Sequence, residues 1–389
     1  MQLTIERSAL LKALGHVQSV VERRNTIPIL SNVLLSAGRD RLAFAATDLD
    51  MEMVDEAEAQ VQVEGQITAP AHTLYEIVRK LPEGAEVSLL YSGDDPRLVV
   101  SAGRSRFNLP VLPAGDFPVM STDSAGASYV LPKEDLARLI DKTRFAVSTE
   151  ETRYYLNGLY LHTVAEAGIP LLRAVATDGH RLALAQSSLD TEVPARQEVI
   201  LPRKTVLELQ RLLKADTQQD AKAASGADGE TNQAAAIEMK FAHNQAKFTF
   251  SGMEFVTKLV EGKFPDYNRV IPKNHKNSVT LGRQPLLSSL QRAAILTSEK
   301  FKGVRVNLEP GSLRIGASNA EQEEAKEEIE VDYEGDAIDI GFNVNYLIDA
   351  LGNMDAEMVR IDLQDGNASA LITLPDRPGF KYVVMPMRI

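Results

Sequence analysis

The chain is written three times over, and that constrains its fold more than any other feature. Each third opens with an apolar alternation and an amphipathic helix: "LTIERSALLKALGHVQSVV", "YVLPKEDLARLIDKTRFAV" and "VTLGRQPLLSSLQRAAIL". An extended segment follows, then a strand closing on Ala-(Thr/Ser)-(Asp/Asn) at Thr47, Thr177 and Ser318. A second helix-plus-strands half repeats the pattern, and related tails end the units, "DFP", "KFPDY" and "VVMPM". The signature spacings are 130 and 141 residues. The longer one contains 215–236, "ADTQQDAKAASGADGETNQAAA", which is rich in Ala, Gln, Asp and Gly without apolar periodicity and reads as a disordered insertion. Polar, turn-rich stretches near 125 and 276 then bound three domains, 1–125, 126–276 and 277–389. Strands such as "RLAFAATD" and "AKFTFSG" alternate apolar and polar residues, the pattern of antiparallel sheets with one buried face. The expected class is α+β, with helices packed on one face of the sheets.

Bulk properties narrow the function. A chain of 389 residues without cysteine has no disulfide scaffold, thiolate metal site or cysteine nucleophile. No cofactor or metal is expected. The N-terminus has no basic segment followed by an apolar core, and no apolar run reaches the ~20 residues of a membrane span. A cytoplasmic protein without a membrane partner is expected. The net charge of −12 argues against generic adhesion to DNA, unless the bases are gathered on one face.

They are gathered on helices. The first helix buries Leu10, Leu14, Val17 and Val21 and presents Lys12, His16, Ser19 and Arg23, with Arg24 next. The helix at 72–81 presents Arg79 and Lys80, and that at 134–146 presents Arg138 and Lys142. The helix at 203–214, opening on Arg203, presents Lys204, Glu208 and Arg211, and the helix at 285–296 presents Arg292. The last helix, "NVNYLIDAL", carries no base. For any single helix a solvated basic face is an equal explanation. Five of six, in an acidic chain, favours a common partner.

The acids lie elsewhere, ten carboxylates against one lysine in 320–339. Arg104 and Arg106 in "GRSRFNL" form a basic counterpart in the first repeat, pointing to one side by period two. Bases in the first domain and acids such as Glu323 and Glu324 in the last suggest head-to-tail association, which closes into a ring if the rotation closes. Two independent solvated faces are the alternative.

The stretch "ATDGHRL" (176–182) resembles a catalytic loop, with Asp178 and His180 around a glycine. Its histidine is replaced by Met51 or Glu323 in the other repeats, and no nucleophile elbow or phosphate-cradling loop accompanies it. Asp178 reads better as the brace of a turn. A catalytic role is disfavoured. An adaptor without nucleic acid remains a rival, although it has no need of basic helices.

With these residues in view, the chain resembles the bacterial DNA sliding clamp family, the beta subunit of DNA polymerase III. The resemblance rests on "TIPILSN", "TDLDMEM", "LPEGAE", "GRSRF", "RYYLNG", "ATDGHRLA", "FPDYNRVIP", "FKGVR", "GFNVNYL" and the terminal "VVMPMRI", in order along nearly the whole length. It implies a non-catalytic processivity factor: two subunits of three domains each, closed head to tail around double-stranded DNA, held topologically and without sequence preference.

The resemblance assigns the basic helices to the inner wall, implying DNA contacts from Arg24, Arg79, Lys80, Arg138, Lys142, Arg153, Tyr154, Tyr155, Arg203 and Lys204. Glu150 beside that tyrosine pair weakens a contact from its own position. A hydrophobic pocket is implied for the peptide tails of the polymerase III alpha subunit, other polymerases and the clamp loader. Its wall is Leu156, Thr177, Gly179, His180, Arg181, Leu182, Pro265, Arg269, Val270, Val383, Met385, Pro386 and Met387, with Asn343 and Tyr346 nearby. His180 and Arg181 are expected to supply donors at its rim. The dimer interface is expected to join Arg104, Arg106 and Phe107 to Ile295, Leu296, Glu321, Glu323 and Glu324.

Overall fold

The computed structural model describes residues 1–23, 25–120, 126–190, 197–224, 236–298 and 301–389. Arg24 and the 225–235 part of the insertion lie outside the described residues. Six α-helices are present among those described: α1 (Arg7–Val17), α2 (Ala71–Lys80), α3 (Lys133–Thr143), α4 (Arg203–Ala224), α5 (Arg283–Ala294) and α6 (Val344–Gly352). They alternate with antiparallel strands, two helices to each repeat, so the class is α+β with the expected three-fold repetition.

The chain divides into two compact units, Met1–Glu134 with Leu207–Leu259, and Asp135–Val206 with Val260–Ile389. The sheets explain why the count is two. In the first unit an eight-stranded sheet runs Ala127–Pro132, Ala236–Phe241, Gln245–Phe250, Met253–Lys258, Met51–Glu58, Arg41–Thr47, Asn32–Gly38, Gly65–Pro70. Four strands from the second repeat thus continue into four from the first. The second unit repeats the device, in the order Glu198–Pro202, Gly158–Glu166, Ile169–Thr177, Arg181–Ser188, Arg377–Val384, Ala370–Leu374, Met358–Leu363, Asn277–Gly282. A strand edge left unpaired in one repeat is covered by the next, which removes an aggregation-prone edge. Each unit also has a smaller sheet. The five-stranded one ends on Ser105–Pro110, and the four-stranded one ends on Glu324–Glu330.

The cores follow the apolar stripes. Leu10, Leu14 and Val17 of α1, Leu74 and Val78 of α2, and Leu136, Leu139 and Ile140 of α3 are wholly buried. Each such side chain contributes roughly 1.5–3 kcal/mol when removed from water.

Three expectations need correction. His16 is not on the outer face of α1; it is buried, and its Nδ1 lies 2.7 Å from the Asp55 carboxylate, at the margin of the apolar stripe. The insertion does not begin at 215, because α4 continues to Ala224. Asp216 is buried, paired with Lys133, and accepts from Ser251 Oγ at 2.6 Å, so a polar anchor holds a stretch that lacks apolar periodicity. Its Ala, Gln and Lys content also suits a helix. Finally, pairing aligns His180 with Asp50 rather than Met51: Met385 N donates to His180 O as Lys258 N donates to Asp50 O, both at 2.9 Å.

Candidate functional site

The repeated signature builds a tight turn. Thr177 Oγ1 donates to Arg181 O at 2.6 Å and accepts from Gly179 N at 3.1 Å, while Asp178 Oδ1 accepts from His180 N at 2.9 Å and Arg181 N at 3.0 Å. The brace role expected of Asp178 is what the turn shows. Gly179 has φ +90°, a conformation that favours glycine, and a Cβ there would sit 2.5 Å from Arg153 Nη1, so that guanidinium would have to move aside. His180 projects outward, its ring 6.4 Å from that of Tyr346 at an interplanar angle of 23°.

Arg181 is not the rim donor expected of it. Its Nη1 donates to Asp349 Oδ2 at 2.6 Å, Nη2 to Phe145 O at 2.7 Å and Nε to Asp178 Oδ2 at 3.1 Å. The guanidinium lies 4.4 Å from the Tyr346 ring centroid. Burial opposes its charge, but the surrounding hydroxyl and carboxylates prevail and its pKa is raised. Buried charge in this setting must be paired, so Arg181 ties strand, α6 and the segment after α3 together. Burial also raises the Tyr382 and Tyr346 phenols, and Tyr382 Oη donates to Tyr346 O at 2.7 Å.

Beneath the turn, Leu156, Leu182 and Val383 meet in one apolar cluster with Tyr160, Phe264, Tyr267 and Leu371. Leu182 and Val383 are register partners across adjacent strands. Tyr160 and Phe264 stack at 4.6 Å with 2° between their planes. Tyr160 and Leu371 carry no signal beyond that of ordinary strand residues, whereas the recurring Phe-Pro tail marks Phe264. After Val384 the chain crosses to the four-stranded sheet, where Met387 N donates to Gly341 O at 2.8 Å. Met385 stays exposed, with Pro386 and Met387 half-buried beside it. Pro265, Arg269 and Val270 are exposed on the segment after Phe264, and Arg269 pairs with Asp266 at 3.2 Å. Asn343 caps α6, its Oδ1 accepting from Asn345 N. The result is a buried apolar base with Met385 and Val270 exposed over it and His180 at the margin, an adaptable apolar rim suited to short apolar peptides.

The candidate DNA contacts divide. Lys80, Arg203 and Lys204 are exposed. Arg79 is exposed but paired with Glu76 at 2.6 Å, and Arg138 is half-buried against Asp135 at 2.6 Å. Lys142 is corrected: it is buried, with Nζ 2.6 Å from Asp355 Oδ2 and a further bond to Asn353 O, partners that draw the ammonium in from the helix face. It has no ammonium to offer a phosphate. Arg153 donates to Glu150 Oε2 through Nε and Nη2 at 2.9 and 2.7 Å. Tyr154 is exposed, in edge-to-face contact with the half-buried Tyr155 at 5.7 Å.

The candidate interface residues occupy sheet edges. Arg104 and Arg106 are exposed in and before Ser105–Pro110, with Phe107 half-buried. Glu321, Glu323 and Glu324 are exposed at the start of the other edge strand, and Ile295 is 77% exposed after α5, with Leu296 half-buried. Among the described residues no His, Asp and Glu cluster could hold a metal ion, and no helix is long and apolar enough to cross a membrane.

Comparison with known proteins agrees with this architecture. Residues 1–121, 130–266 and 268–388 match the N-terminal, central and C-terminal domains of the DNA polymerase III beta subunit. The chain is 53% identical to the beta sliding clamp of Caulobacter vibrioides over 389 residues and 44% identical to that of Pseudomonas putida, covering 100% of both chains in each case. The crystal structure of the C. crescentus beta sliding clamp superposes with a TM-score of 0.92 at 53% identity, over 100% of this chain and 99% of that one. The Pseudomonas aeruginosa beta subunit gives 0.90 at 41%, covering 100% of each. With this match across all three repeats, the chain belongs to the DNA polymerase III beta subunit family, the beta sliding clamps.

Proposed function

We infer that this chain is a processivity factor for DNA polymerase III: an accessory subunit, not itself catalytic, that tethers polymerases to duplex DNA. The observation that carries the reading is the exposed apolar pair Met385 and Val270, with His180 beside them, above the buried cluster of Leu156, Leu182 and Val383. Peptide tails of the polymerase III alpha subunit, of other polymerases and of the clamp loader would dock there.

Two copies would close head to tail, the Ser105–Pro110 edge of one against the Glu324–Glu330 edge of its partner. Opposite charge on two unpaired edges supports this pairing. Lys80, Arg203, Lys204 and Tyr154 would meet phosphates or exposed bases without reading sequence, and Arg24 would add to them. The repeat boundaries belong near 125 and 276, and the working compartment is the cytoplasm, where a bacterial chromosome lies.

Primer extension tests the tethering role. With loader and ATP, the chain should lengthen the product of each polymerase binding event by at least 10-fold. Products of unchanged length contradict it.

A further inference from the structure

The first unit contains the same turn. Thr47 Oγ1 donates to Met51 O at 2.7 Å and accepts from Leu49 N at 3.0 Å, and Asp48 Oδ1 accepts from Asp50 N at 3.0 Å and Met51 N at 2.7 Å. The neighbouring strand continues from Val256, which faces Glu52, as Val383 faces Leu182. An apolar cluster of Ile29, Leu30 and Phe117 lies beneath, with Leu34 and Ala45 against it, the counterpart of Leu156, Tyr160, Val175 and Phe264. The backbone frame of the peptide site is therefore present twice in the chain.

Its side chains differ in one consistent way. Glu52 stands where Leu182 forms the floor, and it is 5% exposed. Its Oε2 accepts from Met120 N at 2.9 Å, a tether a leucine cannot make. Lys258 stands where Met385 lies, and its Nζ meets Asp50 Oδ1 at 3.1 Å, where His180 stands in the second unit. Leu49, φ +76°, replaces Gly179. A peptide tail seated here would strip water from an exposed ion pair and lie over a buried carboxylate, both unfavourable.

We propose that the junction of the first and second repeats is a second site of the same build, closed to apolar peptides by Glu52 and the Lys258–Asp50 pair, and that these residues fix peptide binding at one site per chain. The proposal rests on the peptide-site reading above. It accounts for a repeat protein that offers its partners one docking place where its backbone provides two.

Calorimetric titration of the full-length protein with a peptide copied from the tail of the polymerase III alpha subunit tests it. The natural chain should bind one peptide. Grafting Leu49→Gly, Asp50→His, Glu52→Leu and Lys258→Met should raise this to two, and a folded graft that still binds one overturns the proposal. The reverse graft, His180→Asp, Leu182→Glu and Met385→Lys, does not depend on the first unit folding with new side chains. It should weaken binding at least 100-fold. Unchanged affinity overturns the closure mechanism if deletion of Met385–Ile389 still abolishes binding. If that deletion also leaves binding intact, the peptide-site reading itself has failed.

Discussion

Arg181 Nη1 lies 2.6 Å from Asp349 Oδ2, joining the repeated turn of the second repeat to α6 of the third. The contact makes the position of the His180 turn depend on a charge network rather than on the turn's own hydrogen bonds alone. Arg181→Ala would remove the side-chain donor from Asp178 Oδ2, Asp349 Oδ2 and the Phe145 carbonyl. The expected cost is about 2 kcal/mol, in the range for hydrogen bonds to charged groups. Denaturant unfolding would read the loss, and peptide affinity should fall with it. Arg181→Lys should rescue little, since one ammonium cannot reach three separate acceptors.

Removing Met385–Ile389 deletes the exposed methionine and the Met387–Gly341 bond but leaves both edge strands intact. Partner-peptide binding should vanish while the dimer survives in sedimentation. A truncated chain that sediments as monomer would count against the placement of the pocket.

Glu323→Lys with Glu324→Lys would set like charges against Arg104 and Arg106 of the facing copy. Dimer dissociation should strengthen at least 10-fold at low salt and less at 1 M, where the Debye length has fallen to about 3 Å. A salt-independent dimer constant would take these residues out of the interface.

Lys142 and Lys80 should behave oppositely. Lys142→Met removes a buried partner of Asp355 and Asn353, so it should cost about 1–2 kcal/mol of stability and leave the salt dependence of DNA binding unchanged. Lys80→Ala should leave stability intact and lower the salt slope by about 0.9. Equal slopes for the two variants would place Lys80 away from DNA.

Burial raises the Glu52 pKa, against the opposing bond from Met120 N, with Glu254 adding to the rise. A carboxyl whose folded pKa exceeds its unfolded one contributes stability that is complete below the unfolded value and is lost as pH rises through the folded value. Glu52→Gln should therefore flatten the stability–pH curve just above the ordinary carboxylate range. An identical slope in that window would show that Glu52 keeps its usual acidity.

Much of this was legible in the sequence, because repetition made each element a comparison. The six helices, the antiparallel strands and the turn at Thr177 follow from period and turn chemistry. Lys142 and His16 were misplaced for a shared reason: a helical wheel shows which face a residue occupies but not the partner that draws it inward, here Asp355 and Asp55. Asp216 shows the same limit, since pairing with Lys133 orders a segment whose composition reads as loose. Arg181 looked like a ligand donor because its acceptors, Asp349 and the Phe145 carbonyl, are remote in sequence. Tyr160 and Leu371 carry no motif; only strand register brings them under the turn.

Retention on closed against open DNA tests the central claim most directly. The protein would be loaded onto a nicked circular plasmid with its clamp loader and ATP, and the complex isolated by gel filtration before and after a single cut. Survival on the circle with loss from the linear form is the predicted result, since a ring slides off a free end. Equal retention on both would mean ordinary surface binding and would contradict the closed ring.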